Sequence, residues 1–374
     1  MTSHDLVRRS LSARPSRVVA SSAGIAGCVL LVLLLFSVSR GITTGVSSFV
    51  GQDGADVWVA PRGSDNLIRN SGLLPSSAAT RLATLPGVLR AEPVLRGFVS
   101  VSRPRDPGPG LNLLAIGYRA PSGLGGPPLM DRGRSPANPH EVVLDRAAAW
   151  RLGVVPTDTV LLNDVPFMVS GVSDRTNLVA TQFAFVSESA APRLGILPGA
   201  VSFIVLEIDG DTTPETLARS VSELDSAFVG MSRSRFVANN VREVAAGFRP
   251  MQSLLSLVGF LIAALFVGLL VHSAVEDRHR EISILLAIGT PAFLAARGIL
   301  LNVFAMVLAG CLLGSGVALI IARSLRYWIP TLELAPRFAD TGFVIPSFLM
   351  VGMIAAIVPL LRLRNVDPVD AFRP

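Results

Sequence analysis

Polar positions disappear from four stretches of the chain. Val18–Val38, Met251–Val275, Gly298–Ala322 and Phe343–Leu361 contain no Asp, Glu, Lys or Arg. Each is close to the roughly 20 apolar residues that a helix needs to cross the hydrocarbon core of a bilayer. The last is the shortest and carries Pro346 and Pro359, which can kink or end a helix. The first is longer than the roughly 7–15 apolar residues of a cleaved signal sequence, so a retained anchor is expected.

Between the first two runs the pattern changes to short alternating and amphipathic segments. Ala55–Pro61 (ADVWVAP) alternates like a strand. Pro75–Val88 reads as a short helix that Ser76 or Ser77 can cap and Pro86-Gly87 stops. RAEPVLRGFVSVS and GLNLLAIGYR are strand-like, with the turn-rich Arg103–Gly110 between them. Pro121–Pro139 is rich in Gly and Pro and reads as a linker. EVVLDRAAAWRLGV starts as a strand and continues as a helix, and DTVLLNDVPFMVSGVSD predicts a hairpin about Asn163-Asp164. Val201–Asp209 predicts a strand and Thr213–Phe228 an amphipathic helix with Thr213 as its cap.

The expected fold is therefore an α-helical membrane protein with four transmembrane helices plus a large α+β extracytoplasmic domain. Residues 1–40 hold a cytoplasmic tail and the first span. Residues 41–249 form the outer domain, with an inserted subdomain at about 120–198. Residues 250–374 form a three-helix membrane module.

Composition supports lipid as part of the chain's solvent. Of 374 residues 50% are hydrophobic and only 16% charged, against about 25% charged in ordinary soluble domains. Mean hydropathy is +0.55. The net charge of +6 comes entirely from Arg on the basic side, since the sequence has no Lys. That excludes a P-loop lysine, a Schiff base and a kinase-type ATP lysine. A nucleic-acid partner is not expected, because many of the Arg flank apolar runs instead of sharing one soluble face.

Their placement orients the chain. Arg8, Arg9, Arg14 and Arg17 precede the first run. Arg278, Arg280 and Arg297 separate the second from the third, and Arg362, Arg364 and Arg373 follow the fourth. The positive-inside rule puts these segments, and so both termini, in the cytoplasm, with Asp145 outside. Tyr327-Trp328 beyond the third run fits an interfacial aromatic pair.

The catalytic inventory is thin. The two cysteines, Cys28 and Cys311, lie inside apolar runs and read as buried small residues, with neither a disulfide framework nor a zinc site. The four His show no metal-ligand spacing, His140-Glu141 lacks the second His of a zincin, and no G-x-S-x-G elbow is present. No catalytic, metal or cofactor residues are expected. His272 and Asn302 sit at the ends of their runs, where interfacial solvation explains them better than a transport relay. Gly310 and Gly314, with Gly316 beyond, form a small-residue patch that permits close helix contact, within one chain or across a dimer.

The segment after the second run carries the sharpest pattern. In EDRHREISILLAIGTP (276–291), Ile282, Leu285, Leu286 and Gly289 make one apolar stripe, and Glu276 and Arg280 lie at i and i+4. By pattern alone this is a polar extension of a membrane helix or a short surface helix offering a charged end to a partner. It resembles the E-x-R-x-x-E-I-x-x-L-x-x-x-G signature of FtsX-like, MacB-like ABC transporter permeases. Glu276, Arg278, Glu281, Ile282, Leu285 and Gly289 match; Ser283 and Leu286 depart from it. The C-terminal NVDPVDAFRP is similar to the family's closing D-P-x-x-A-L-R, with Asp367, Pro368, Ala371 and Arg373 matching and Phe372 in place of Leu. EVVLDRAAAWRLGVVPTDTVLL resembles a recurrent strand–helix–strand of these outer domains, and GADVWVAPRG is closest to the DevC-type branch.

The resemblance implies a non-catalytic permease subunit in a bacterial cytoplasmic membrane. It implies a homodimer bound to a separate ABC ATPase chain that holds the ATP. Glu276, Arg278, Arg280, Glu281, Ile282, Leu285 and Gly289 would form the helix that couples ATPase closure to the outer domain. The substrate would be a lipid, glycolipid, peptide or drug-like molecule, moved outside the bilayer with or without a membrane-fusion adaptor. The family also permits a signalling or scaffold protein that regulates an outer partner such as a cell-wall hydrolase.

Overall fold

The computed structural model describes residues 15–69, 72–104, 106–120, 122–176, 182–195, 199–277, 292–328 and 337–362. Its longest elements are four helices: α1 at Pro15–Val50, α5 at Arg233–Asp277, α6 at Ala292–Trp328 and α7 at Phe338–Arg362. Each contains one of the four apolar runs and extends beyond it, and each is long and apolar enough to cross a membrane. In lipid the backbone must satisfy its own hydrogen bonds, and a helix does so within one segment. In the fourth run, where Pro346 and Pro359 can kink or end a helix, α7 continues through both. α6 continues past the end of its apolar run at Ala322 to Trp328.

The chain divides into two compact units. One contains the membrane portions of α1, α5, α6 and α7, up to Val38 and from Arg249 onward, apart from 325–333. Its core gathers Ile25, Val29 and Val32 of α1, Val267 of α5, Val307 of α6 and Phe348 of α7. Leu254, Leu257, Leu261 and Leu265 of α5 remain exposed, as a lipid-facing row requires.

The other unit is built on a ten-stranded mixed sheet. Its strands are β1 (Val57–Pro61), β3 (Val88–Arg103), β4 (Asp106–Tyr118), β5 (Met130–Gly133), β6 (Glu141–Asp145), β7 (Thr159–Leu162), β8 (Val165–Ser173), β9 (Gln182–Ser187), β11 (Phe203–Ile208) and β12 (Phe228–Ser232). The order is β12-β1-β11-β3-β4-β9-β6-β8-β5, and β7 pairs with both β3 and β8. β2 (Leu74–Pro75) and β10 (Ala200–Val201) form a separate pair. Helices α2 (Ser77–Leu82), α3 (Arg146–Leu152) and α4 (Pro214–Leu224), with a 3-10 helix at Glu188–Leu194, complete the α+β body.

Local chemistry explains the turns. β7 and β8 meet at Asn163 and Asp164, whose φ values of 47° and 65° make the two-residue turn that matches strand twist. Thr213 caps α4 by accepting from the Thr216 N–H. Ser76 occupies the cap position of α2 without a side-chain cap bond, and α2 stops at Leu82. β3 and β4 are closer than the turn-rich 103–110 suggests, pairing up to Arg103 and Asp106. The segment read as a linker, 121–139, contains β5, which pairs antiparallel with β8.

Candidate functional site

The sequence places its functional residues on 276–291. Glu276 belongs to the last turn of α5, while Arg278, Arg280, Glu281, Ile282, Leu285 and Gly289 lie outside the described residues. The C-terminal Asp367, Pro368, Ala371 and Arg373 do so as well. What the structure describes is the machinery on either side of that segment.

In the membrane unit the helices meet through small residues. A Cβ added at Gly314 would lie 2.6 Å from the Ala26 carbonyl oxygen and 2.9 Å from Val29 Cβ; one at Gly310 would lie 2.9 Å from Ile25 Cβ. Both glycines therefore face α1 of the same chain, and the backbones approach as they do in small-xxx-small contacts. Gly316, two residues beyond Gly314, has nothing within 4 Å of such a Cβ. At Gly24 the Phe266 ring of α5, and at Gly352 the Val307 side chain of α6, fill the space that a Cβ would take. Gly314→Val is expected to overpack the α1–α6 contact by about 1–3 kcal/mol. Thermal unfolding in detergent should show it, with Gly316→Val close to wild type. Equal midpoints for the two variants would remove the intrachain assignment.

In the outer unit the ends of two long helices share one aromatic core. Trp58 on β1 is fully buried, stacks on Phe236 of α5 at 4.8 Å and 29°, and meets Phe49 of α1 edge-on at 6.1 Å. Its indole N–H donates to the Val50 carbonyl at 3.1 Å. Phe183, Phe185 and Phe203 line the same cluster. Asn240, fully buried on α5, accepts from the Leu67 N–H at 2.7 Å and donates to the Phe236 carbonyl at 2.8 Å. Asn239 donates to the Asp65 carbonyl and Arg69 pairs with Glu243, so the segment 65–69 is strapped to this helix. From β3 the Arg96 guanidinium donates to the carbonyls of Leu67 and Ile68; burial lowers its pKa. No sequence reading singled out these residues. The available signal was two adjacent Asn inside a segment of helical period, because a buried mid-helix Asn needs partners from elsewhere.

The buried acids of this unit are held by partners. Arg134 donates to both Glu141 oxygens, at 2.8 and 2.7 Å, with the Ala137 N–H and Asn138 Nδ2 adding two more bonds. These contacts, led by Arg134, hold the Glu141 carboxyl below its ordinary pKa despite burial. The neighbouring His140 ring meets Arg193 at 2.6 Å. Arg119 bridges Glu92 and Glu188 at 2.9 and 3.3 Å, and burial pushes Glu92 up. Among the described residues no group of three or more His, Cys, Asp or Glu could hold a metal ion.

Asp145 is the most perturbed of these acids. It caps α3 by accepting from the Ala147 N–H at 2.8 Å, and its other oxygen accepts from Thr176 Oγ1 at 2.7 Å. Ser173 Oγ lies 2.8 Å from Thr176 Oγ1, and Arg146 pairs with Asp174 nearby. Burial raises the carboxyl to about 6; the Thr176 and backbone bonds and the Arg146 charge only partly offset it. A raised carboxyl binds its proton more tightly in the folded state. Its stabilisation is complete below the ordinary value near 4 and is lost as pH rises through about 6. Asp145→Asn keeps the cap acceptor and turns the Thr176 bond around. It should flatten the dependence of the unfolding midpoint between pH 4 and 6 and raise the midpoint at pH 7.5. The upper bound is roughly 3 kcal/mol. An unchanged pH slope would refute this assignment.

Comparison with known proteins places the two halves. Residues 19–224 match the model of the MacB-like periplasmic core domain, and residues 253–368 that of the FtsX-like permease C-terminal region. An uncharacterized ABC transporter permease of Mycobacterium tuberculosis is 26% identical over 365 residues, covering 97% of both chains. One of Mycobacterium bovis is 22% identical over 366 residues with the same coverage. Among solved structures, the periplasmic region of MacB from Actinobacillus actinomycetemcomitans is 17% identical with a TM-score of 0.40, covering 49% of this chain and 91% of that one. The extracellular domain of the transporter YknZ from Gram-positive bacteria is 14% identical with a TM-score of 0.36, covering 47% and 98%.

Proposed function

The chain belongs to the FtsX-like, MacB-like family of ABC transporter permeases, and from that premise we propose that it is the membrane subunit of an exporter driven by a separate ATPase chain. The observation that carries this reading is the order of parts. One apolar helix, a folded α+β unit and three further apolar helices follow one another, and the two family models together run from 19 to 368.

The division of labour follows from the residues. A chain without Lys has no Walker A lysine to hold nucleotide phosphates, so ATP binds and is hydrolysed on the partner. Two copies of this chain join two ATPase chains at the cytoplasmic face of a bacterial membrane, where both termini also lie. The segment 276–291 receives the ATPase movement. α5 is the element that links this segment to the outer unit: its first turns belong to that unit, with Phe236 and Asn240 in the core, and its last turn holds Glu276. The outer domain then acts on a lipid, glycolipid, peptide or drug-like substrate on the far side of the membrane, with or without an adaptor.

The test is co-purification. Co-expressed with a candidate ABC ATPase chain from the same cell, the tagged chain should retain that ATPase in detergent and support hydrolysis in lipid, while the chain alone hydrolyses no ATP. Turnover by the chain alone, or failure to retain the ATPase at matched membrane levels, would overturn the proposal.

A further inference from the structure

The first turns of α5 carry a basic stripe that the fold does not use. Arg235, Arg242 and Arg249 recur every seven residues and all three are exposed. At that spacing a helix drifts by only about 20° per step, so the three share one face. Among the described residues none of them has an ion pair or a hydrogen bond. Their neighbours are engaged: Arg233 pairs with Asp53, and Glu243, the acid of this stretch, is taken by Arg69. Over 41–249 Arg and acidic residues balance at 19 each, so the stripe is a local concentration of charge and not part of a generally basic surface.

Insertion does not explain it. Arg249 directly precedes Pro250 and the charge-free run Met251–Val275, at the end of that run assigned to the outside. Arginine there opposes the positive-inside rule. A second copy set face to face on this stripe would bring arginine against arginine. Ala238 and Ala246, both exposed, lie between the three at i+3 and i+4. They leave the guanidinium groups accessible and offer no large apolar anchor for a protein interface to centre on. What remains is a ladder of cations whose forked donors match phosphate or carboxylate oxygens. It starts where the apolar run starts. At about 1.5 Å per residue its steps are roughly 10 Å and its length roughly 21 Å. A single headgroup at the bilayer surface meets Arg249 alone.

We propose that this face of α5 binds a lipid-anchored polyanion, an amphiphile whose extended head carries several phosphate or other acid groups. The anchor stays with the bilayer beside Met251, and successive acid groups meet Arg249, Arg242 and Arg235. That this amphiphile is the exporter's cargo rests on the export reading above and narrows it to anionic glycolipids with long heads. The binding itself rests on the helix alone.

The experiment uses the full chain in nanodiscs of phosphatidylcholine, titrated with fluorescent lipoteichoic acid, a glycerol-phosphate polymer on a lipid anchor. Empty nanodiscs give the background. Arg235→Gln combined with Arg242→Gln should weaken binding by about fivefold, two exposed ion contacts being lost together. Arg235→Lys with Arg242→Lys, which keeps the charge, should restore most of it. Phosphatidylglycerol, with one phosphate, should be unaffected by the double Gln variant and weakened by Arg249→Gln. The deacylated polymer should bind more weakly than the anchored one and show the same dependence on Arg235 and Arg242. Unchanged affinity of the double Gln variant for lipoteichoic acid would overturn the proposal, as would an equal loss for phosphatidylglycerol. Equal affinity for the deacylated polymer would remove the lipid anchor and overturn it too. A double variant that changes only the oligomeric state would assign the stripe to a contact between copies instead. No ATPase is present in this assay, so its outcome is separate from ATPase retention.

Discussion

Trp58→Ala is expected to lower the stability of the outer unit by about 3–5 kcal/mol, the range for deleting a large aromatic side chain from a core. The indole is fully buried, stacks on Phe236, and touches Phe49 and Phe203 edge-on. Its loss opens a cavity and also leaves the Val50 carbonyl without the indole N–H that it accepts. Trp58→Phe should recover most of the packing and lose the hydrogen bond, for a smaller cost of about 1–2 kcal/mol. The ordering Ala, then Phe, then wild type should appear in thermal unfolding of the solubilised chain. If alanine and phenylalanine destabilise equally, the hydrogen bond to Val50 outweighs the ring contacts and the account of this core is wrong.

β1 shows what the sequence can and cannot convey. Strand character was legible in ADVWVAP, and the hairpin at Asn163-Asp164 and the Thr213 cap followed from local chemistry. That β1 lies between β12 and β11 with every residue buried was not. Trp58 and Ala60 enter one hydrophobic cluster, Val57 and Val59 another. A strand buried on both faces has no polar face to report its surroundings.

The helix ends were hidden for the opposite reason. The membrane criterion detects uninterrupted apolar residues, so it stops α1 at Val38 and starts α5 at Met251. Beyond those limits the helices carry Arg40, Arg242 and Glu243. They persist because one face packs on the sheet through Phe49 and Phe236, a tertiary contact that no local window contains. β5 escaped notice similarly: its residues MDRG are mostly exposed, and pairing with β8 makes them a strand, not their own propensity. The glycine patch on the third span was visible, but only the α1 backbone beside Gly310 and Gly314, and the open space at Gly316, assign its faces.

Glu281→Arg is expected to separate the permease from its ATPase. In the proposed arrangement Glu281 follows Arg278 and Arg280 just beyond the last described turn of α5, on the segment that enters the ATPase. Reversing its charge leaves a repulsive or unpaired group in that contact. For a buried pair the cost is on the order of 2–5 kcal/mol, so ATPase retention should weaken by about 30-fold or more. The spans and the outer domain are untouched, so membrane level and thermal stability should match the wild type while transport and ATPase binding fall together. Arg362→Glu provides the contrast. It removes a positive charge from the end of α7, outside the signature. If 276–291 only supplies positive charge for orientation, that variant should be at least as harmful, and both should disturb insertion more than binding. Pull-down at matched membrane levels distinguishes the two. Full retention of the ATPase by Glu281→Arg would mean that this segment orients the chain in the membrane and does not couple it to ATP hydrolysis.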